Sequence, residues 1–381
     1  VRRIVYLTGN RADYGLFYQA LCHIEKHPAL ELGLIVTAMH LAPEFGYTVR
    51  LVEQDGFRIL ARVESLLAGD SGGSMGRAIG LGIVGVTQAL ESIRPDVLIL
   101  LGDRGEMLAG AIAAAHLNIA IAHVHGGEVS GTIDESVRHA ITKLAHIHFP
   151  STQENGERIV KMGEAPARVH VVGAPGLDYL RFVEPMERAE IESDLELDLS
   201  KPVLMMTQHA VTTEMESAAA QMRVTLEAIK AVGVQTVISY PNADSGGRAM
   251  IRVLQEYEPL PFVRILPTLG QRRYTSLMRY ASAMVGNSSS GIIEAPFFGL
   301  PVVNIGTRQQ GRQRAENVLD VPYDQETIEQ AIRTALNDVA FIQRARNCIN
   351  PYGDGRAGER IAQTLAQVSL EREFLQKRLT Y

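Results

Sequence analysis

Short apolar runs rich in β-branched residues alternate, through the first half of the chain, with longer segments whose apolar positions recur at helical spacing. Arg3–Thr8, Leu32–Ala38, Arg58–Val63, Asp96–Leu101, Ile119–Val124 and Val169–Gly173 read as strands, with helices expected at Asp13–His27, Met75–Ile93, Glu106–Leu117 and Asp134–Ala145. Val97-Leu98-Ile99-Leu100-Leu101 is apolar throughout, as a parallel strand covered on both faces requires. Such alternation implies right-handed crossovers and a doubly wound sheet. The pattern weakens between Gly176 and Ser200, then resumes with strands expected at Pro202–Gln208, Val234–Tyr240, Phe262–Leu266, Ala283–Gly286 and Pro301–Ile305. The expected fold class is therefore α/β, with two Rossmann-like doubly wound domains facing a cleft. Residues 1–178 form the first domain, 179–200 a hinge and 201–355 the second domain, while a helical segment at 356–381 crosses back to the first.

Composition narrows the function. With 46% hydrophobic and 21% charged residues over 381 positions, the chain is an ordinary globular protein. Thirty-seven basic against 43 acidic residues give a net charge of −6, and no basic block stands out, so neither nucleic acid nor an anionic membrane is an expected partner. Two cysteines, Cys22 and Cys348, make no disulfide framework, which fits a reducing compartment. No run reaches 18 apolar residues and no signal peptide is visible, so a soluble cytoplasmic protein is expected.

In open α/β sheets ligands lie beyond the carboxyl ends of the strands, so the residues following each strand carry the chemistry. After the first strand, Gly9-Asn10-Arg11-Ala12-Asp13-Tyr14-Gly15 can present backbone N–H groups and Arg11 to an anion. It is neither G-x-G-x-x-G nor a P-loop, so nicotinamide binding gains no support. The glycine-dense stretch Gly69–Gly76 reads as a mobile loop over the cleft. Gly102-Asp103-Arg104 places a carboxylate just past an apolar strand, where it serves either chemistry or the N-cap of the next helix. From His123 to His139, seventeen positions hold three histidines, three carboxylates and Arg138. His123 and His125 on a strand would share one face, but no His-Glu-x-x-His or cysteine cluster accompanies them, and no metal is expected. Asp134 and Glu135 open a helix, complementing its dipole.

In the second half, Gln208-His209 follows a strand, and Thr213 with Glu216 reads as a capping box. Asn242 follows the next strand in Tyr240-Pro241-Asn242-Ala243-Asp244. Gly286-Asn287-Ser288-Ser289-Ser290-Gly291-Ile292-Ile293-Glu294 is strand, hydroxyl-rich turn and helix start, a cradle for a phosphate. Glu294 can grip a ribose diol by accepting from both hydroxyls. Gly306-Thr307-Arg308-Gln309-Gln310-Gly311-Arg312-Gln313-Arg314 adds three arginines able to reach a diphosphate.

These segments, in order from residue 3 to about residue 360, resemble the hydrolysing UDP-N-acetylglucosamine 2-epimerases of sialic and legionaminic acid biosynthesis. The resemblance implies a glycosyltransferase-B-like fold and UDP as leaving group, with elimination to a glycal and re-addition of water. The products are then UDP and a free manno-configured sugar. It implies acid/base roles for Asp103 and Asp134 and places His209 near the diphosphate. Arg11, Arg104, Asn242, Ser288, Ser289, Glu294 and Arg308 fall on nucleotide-contacting positions, and Leu269 falls near the uracil. Many members have Glu where this chain has His125, so the third carboxylate is absent, replaced by His125, or supplied by Glu128. Many also have Pro where this chain has Ala210. The expected substrate is UDP-N-acetylglucosamine or its 2,4-diacetamido-2,4,6-trideoxy analogue. No cofactor is expected, and a homo-oligomer, dimer or tetramer, is. The competing readings are a non-hydrolysing epimerase, a glycosyltransferase of the same fold and a non-catalytic nucleotide-sugar sensor.

Overall fold

Strand formation follows burial. In a computed structural model that describes residues 1–69, 71–129, 133–242 and 246–380, with Thr212 and Thr213 described by backbone alone, every residue of the run 97–101 is buried. The first sheet contains β1 (Arg2–Thr8), β2 (Leu30–Thr37), β3 (Ile59–Val63), β4 (Val97–Leu101), β5 (Ala120–Val124) and β6 (Ile147–Phe149), all parallel, in the order β3-β2-β1-β4-β5-β6. Alternate residues serve opposite faces: Ile4, Tyr6, Ile99 and Leu101 join one apolar cluster, while Val5, Leu7, Leu98 and Leu100 join the other. Each such fully buried side chain stabilises the sheet by about 1.5–3 kcal/mol.

The second sheet contains β7 (Val203–Thr207), β8 (Gln235–Ser239), β9 (Val263–Leu266), β10 (Ala283–Gly286), β11 (Val302–Ile305) and β12 (Val318–Val321). It is also parallel throughout, in the order β12-β11-β10-β7-β8-β9. Both sheets therefore have the doubly wound strand order, with a reversal point beside the first strand of each. The chain divides into Val1–Arg181 with Tyr352–Tyr381, and Phe182–Pro351.

Several expectations need correction. Val169–Gly173 is not a strand; it makes a single bridge, His148 to Val169, and the sixth strand is the short Ile147–Phe149. The edge strand β12 was missed as well, because Asp320 interrupts its apolar pattern; Asp320 there accepts from Asn304 Nδ2 at 2.7 Å. The expected hinge is divided at Arg181 and Phe182, and its helix Arg188–Leu195 buries Ile191 and Leu195 in the second unit's core. Part of the expected mobile loop, from Gly72 on, is the first turn of the helix Gly72–Ile93, capped by Ser71; Asp70 lies outside the described residues. Thr212–Ser217 is a 3₁₀ turn and the α-helix starts only at Ala218; the side chain of Thr213, half of the expected capping box, lies outside the described residues. The final helical stretch is two helices, Ala357–Gln367 and Arg372–Leu375. The first starts where the buried Asp178 carboxylate accepts from the N–H groups of Ala357 (2.9 Å) and Gly358 (2.6 Å), and it packs Ile361 and Leu365 into the first unit's core.

Candidate functional site

The strand order explains why the candidate residues gather where they do. In the first unit the sheet reverses between β1 and β4, and the loops after these strands are Gly9–Gly15 and Gly102–Arg104. In the second it reverses between β7 and β10, whose following residues are Gln208-His209 and the serine turn. Chain ends diverge at such a point and leave a crevice.

Within the first unit, Asp103 does not cap the helix Gly105–His116; Arg104 occupies the N-cap position. The Asp103 carboxylate instead accepts from Nη2 of Arg138, a buried side chain on the helix Ile133–Leu144. Nη1 of the same guanidinium donates to Glu128 Oε2 at 3.1 Å. Glu128 Oε1 accepts from His125 Nδ1 at 2.6 Å and from the Ser151 hydroxyl at 2.7 Å. Burial alone would raise the Glu128 carboxyl, but His125, Arg138 and Ser151 outweigh it and hold the group down at about 2. Asp134 lies four residues before Arg138 on the same helix, hence on the same face. Gly127 is required here: its φ is +78°, and a Cβ would collide with the Asn155 carbonyl.

The paired-histidine geometry is corrected. His123 is the penultimate residue of β5 and lies in the core, where its Nε2 donates to the Gly102 carbonyl at 2.7 Å and its Nδ1 lies 3.1 Å from the Thr142 hydroxyl. Burial pushes it down to about 3, so its ring is neutral. His125 lies past the strand with φ at +61°, in the left-handed region, and its ring turns to Glu128. The two rings therefore do not share a strand face. Among the described residues no three His, Cys, Asp or Glu side chains are grouped to hold a metal ion.

The loop after β1 is fixed by Asp13. Its carboxylate accepts from the N–H groups of Gly9 and Asn10, each at 3.0 Å, and from the Thr8 hydroxyl, while Asn10 caps the helix Arg11–Lys26 in return. Burial raises Asp13 to about 6 against these bonds. Arg11 begins the helix and is exposed. Arg104, also exposed, pairs with Glu106 at 2.9 Å.

In the second unit, buried Asn287 joins three strand ends. Its Oδ1 accepts from the His209 N–H (2.7 Å), its Nδ2 donates to the His209 carbonyl (2.9 Å), and its own carbonyl accepts from Arg308 Nη1 (3.1 Å) and Gln309 Nε2 (2.8 Å). Gly286, with φ at +126°, lets β10 approach so closely that a Cβ would strike the Thr207 carbonyl. His209 Nδ1 accepts from the Asn242 N–H at 3.0 Å, so the neutral ring carries its proton on Nε2, as a donor to an anion requires. Ser288 caps the helix Ser289–Ile293 through the Ser290 N–H. That helix has five residues, so its dipole is weaker than that of a longer helix. Glu294, half-buried, ends it; burial and the Glu294 carboxylate together push the Tyr274 phenol up. The side chain of Leu269 belongs to an apolar core cluster, leaving its backbone as the part able to meet a base.

Arg138, Ser151 and Asn287 were not selected from the sequence. Arg138 stood four residues after Asp134 on an expected helix, a spacing that signals a shared face. Asn287 lay inside the serine turn, but nothing local marks it as a clamp.

The fold is thus that of a doubly wound α/β enzyme, with hydroxyl, N–H and guanidinium donors at the strand ends of one unit and an ion-paired cluster of carboxylates, a histidine and Arg138 in the other. The chain matches the family model of UDP-N-acetylglucosamine 2-epimerase over residues 22–366 and belongs to that family. It is 41% identical over 377 residues to a Legionella pneumophila protein named UDP-N,N'-diacetylbacillosamine 2-epimerase (hydrolyzing), covering 99% of each chain. It is 33% identical to a Neisseria meningitidis serogroup B UDP-N-acetylglucosamine 2-epimerase, covering 98% of this chain and 99% of that one. Among solved structures, the Neisseria meningitidis UDP-GlcNAc 2-epimerase bound to UDP-GlcNAc superimposes with a TM-score of 0.76 at 17% identity, covering 96% of this chain and 100% of that one. A Listeria monocytogenes structure described as a putative UDP-N-acetylglucosamine 2-epimerase gives 0.79 at 19% identity, with 96% of each chain covered. These two likenesses bear out the expected α/β class with two Rossmann-like doubly wound domains.

Proposed function

We propose that the protein hydrolyses and epimerises a UDP-2-acetamido sugar, giving UDP and the free manno-configured sugar. The identity of 41% across 99% of both chains with the Legionella enzyme carries this reading, and it favours the 2,4-diacetamido-2,4,6-trideoxy sugar over N-acetylglucosamine. The site chemistry agrees. The C2 proton beside an acetamido group is weakly acidic, so its removal needs a positioned base concerted with departure of UDP. Asp103, Asp134 and the His125–Glu128 pair are the acid/base groups of the first unit. Arg308, Ser288, Ser289 and His209 Nε2 are the donors for the diphosphate, where negative charge develops as the C1–O bond breaks. Arg11, Arg104 and Asn242 add polar contacts to the nucleotide, and Glu294 accepts from its ribose.

The test is to incubate the protein with each UDP-sugar in deuterated water and identify both products by NMR. Elimination and re-addition replace the C2 proton by one from solvent, so the free sugar carries deuterium at C2 and the manno configuration. Product with protium at C2, or in the gluco configuration, refutes the path. A UDP-bound manno sugar without free UDP identifies a non-hydrolysing epimerase instead.

A further inference from the structure

The Glu128–His125 pair has the geometry of an oriented general base. A carboxylate oxygen only accepts, so the 2.6 Å contact places the proton of neutral His125 on Nδ1. The lone pair then resides on Nε2, which is buried and has no hydrogen-bond partner among the described residues. A buried polar atom without a partner is uncommon unless a ligand completes it. The backbone reinforces this aim: His125 is held at φ +61°, where side-chain-bearing residues are rarely found, and such positions cluster at functional sites. Glu128 is a poor acceptor by contrast, because His125, Ser151 and Arg138 occupy both of its oxygens.

We propose that His125 Nε2 is the base that takes the C2 proton of the bound UDP-sugar, and that Glu128 is a positioning residue fixing the ring's tautomer and direction. This rests on the 2-epimerase reading above and settles which of the two residues acts on the substrate. As Nε2 accepts the proton, the C2–H electron pair becomes the C1–C2 double bond. The C1–O bond breaks and its electron pair leaves on the β-phosphate oxygen of UDP. The resulting imidazolium, stabilised by the Glu128 charge, loses its proton to solvent. Water then supplies hydroxyl to C1, and an aspartate of the cluster gives C2 its new proton and is reprotonated from that water.

Two variants and one spectrum test the proposal. His125→Gly suits a positive φ and opens a space for imidazole, while His125→Asn tolerates the same backbone but carries no basic nitrogen. Each should bind UDP within about twofold of wild type and lose about 10²–10⁴-fold in kcat. Added imidazoles should restore the glycine variant in proportion to their basicity, which mere cavity filling would not do. Glu128→Gln should lower kcat while leaving KM for the UDP-sugar nearly unchanged. Undiminished kcat in either His125 variant, or rescue independent of basicity, overturns the proposal. The ¹⁵N spectrum of the wild-type histidines decides it independently of any substrate: His125 should be the Nδ1–H tautomer, and an Nε2–H tautomer overturns the base assignment. Wild-type protein that fails to release UDP and epimerised sugar refutes the 2-epimerase reading itself, which separates the two failures.

Discussion

Glu164→Gln should destabilise the first unit severely, in a manner that disappears in acid. The Glu164 side chain is 1% exposed and holds three partners: Lys143 Nζ at 2.6 Å, Lys377 Nζ at 2.6 Å and His148 Nε2 at 3.2 Å. Lys377 also donates to the carbonyls of Lys143 (2.8 Å) and Ala145 (2.6 Å), closing the end of the helix that carries Asp134 and Arg138. Burial alone would raise the Glu164 carboxyl, but His148 and the two lysines hold it down from 4.5 to about 2. At about 1.4 kcal/mol per tenfold in proton affinity, that drop corresponds to about 3 kcal/mol. Lys143 is 37% exposed, and solvent there trims the value, whereas half-buried Lys377 loses its carboxylate but keeps its carbonyl acceptors, a loss at or below the ~3–5 kcal/mol of fully buried pairs. The net expectation is about 2–4 kcal/mol at pH 7, or roughly 30- to 1000-fold faster hydrogen exchange in β4 and β5. Because the folded carboxyl lies below its ordinary value, its contribution is full above about pH 4.5 and is lost as the pH falls through about 2. The gap between wild type and variant should be flat from pH 7 to about 5 and narrow below. Exchange within about fivefold of wild type at pH 7, or a gap unchanged at pH 3, would refute the reasoning.

Other outcomes follow from the site. Asp103→Asn should fold and bind UDP but lose about 10²–10⁴-fold in turnover, since Asp103 does not cap its helix, an amide oxygen can still accept from Arg138, and Glu128 keeps that guanidinium paired; near wild-type kcat would remove it from the acid/base set. Arg308→Ala should weaken UDP binding by roughly one to two decades in calorimetric titration, the worth of a hydrogen bond to a charged group. Turnover should survive treatment with a chelator, because the residues assigned to the diphosphate are cationic and hydroxylic; activity lost to chelation and restored by one metal would contradict this assignment.

The sequence disclosed the fold wherever burial was two-sided and long. Val97–Leu101 could be nothing but a covered parallel strand. Ile147-His148-Phe149 was hidden because three residues with a histidine at the centre show no period, although that histidine is fully buried, its Nε2 held by Glu164. The five-residue segment Val169-His170-Val171-Val172-Gly173 has more β-branched residues, yet in the structure it forms a single bridge, at Val169, and no ladder.

The site shows a sharper limit of the same kind. Residue types and strand ends were enough to pick out Asp103, His125 and Glu128, which Arg138 links in the structure, and Asp134 on the helix that carries Arg138. They could not say what each carboxylate does, because that depends on which donors surround it. Asp103 changes from a possible helix cap into a member of an ion-paired cluster only because Arg138, 35 positions later, reaches it. Glu128, three residues beyond the position where many members have Glu, has both oxygens paired, one with His125 and Ser151 and the other with Arg138. That histidine stands free of its strand through a left-handed backbone that glycine would have advertised and His125 conceals. On the reading proposed above, the carboxylate with both oxygens occupied orients the ring, and the ring nitrogen with no partner among the described residues is the one that meets the substrate.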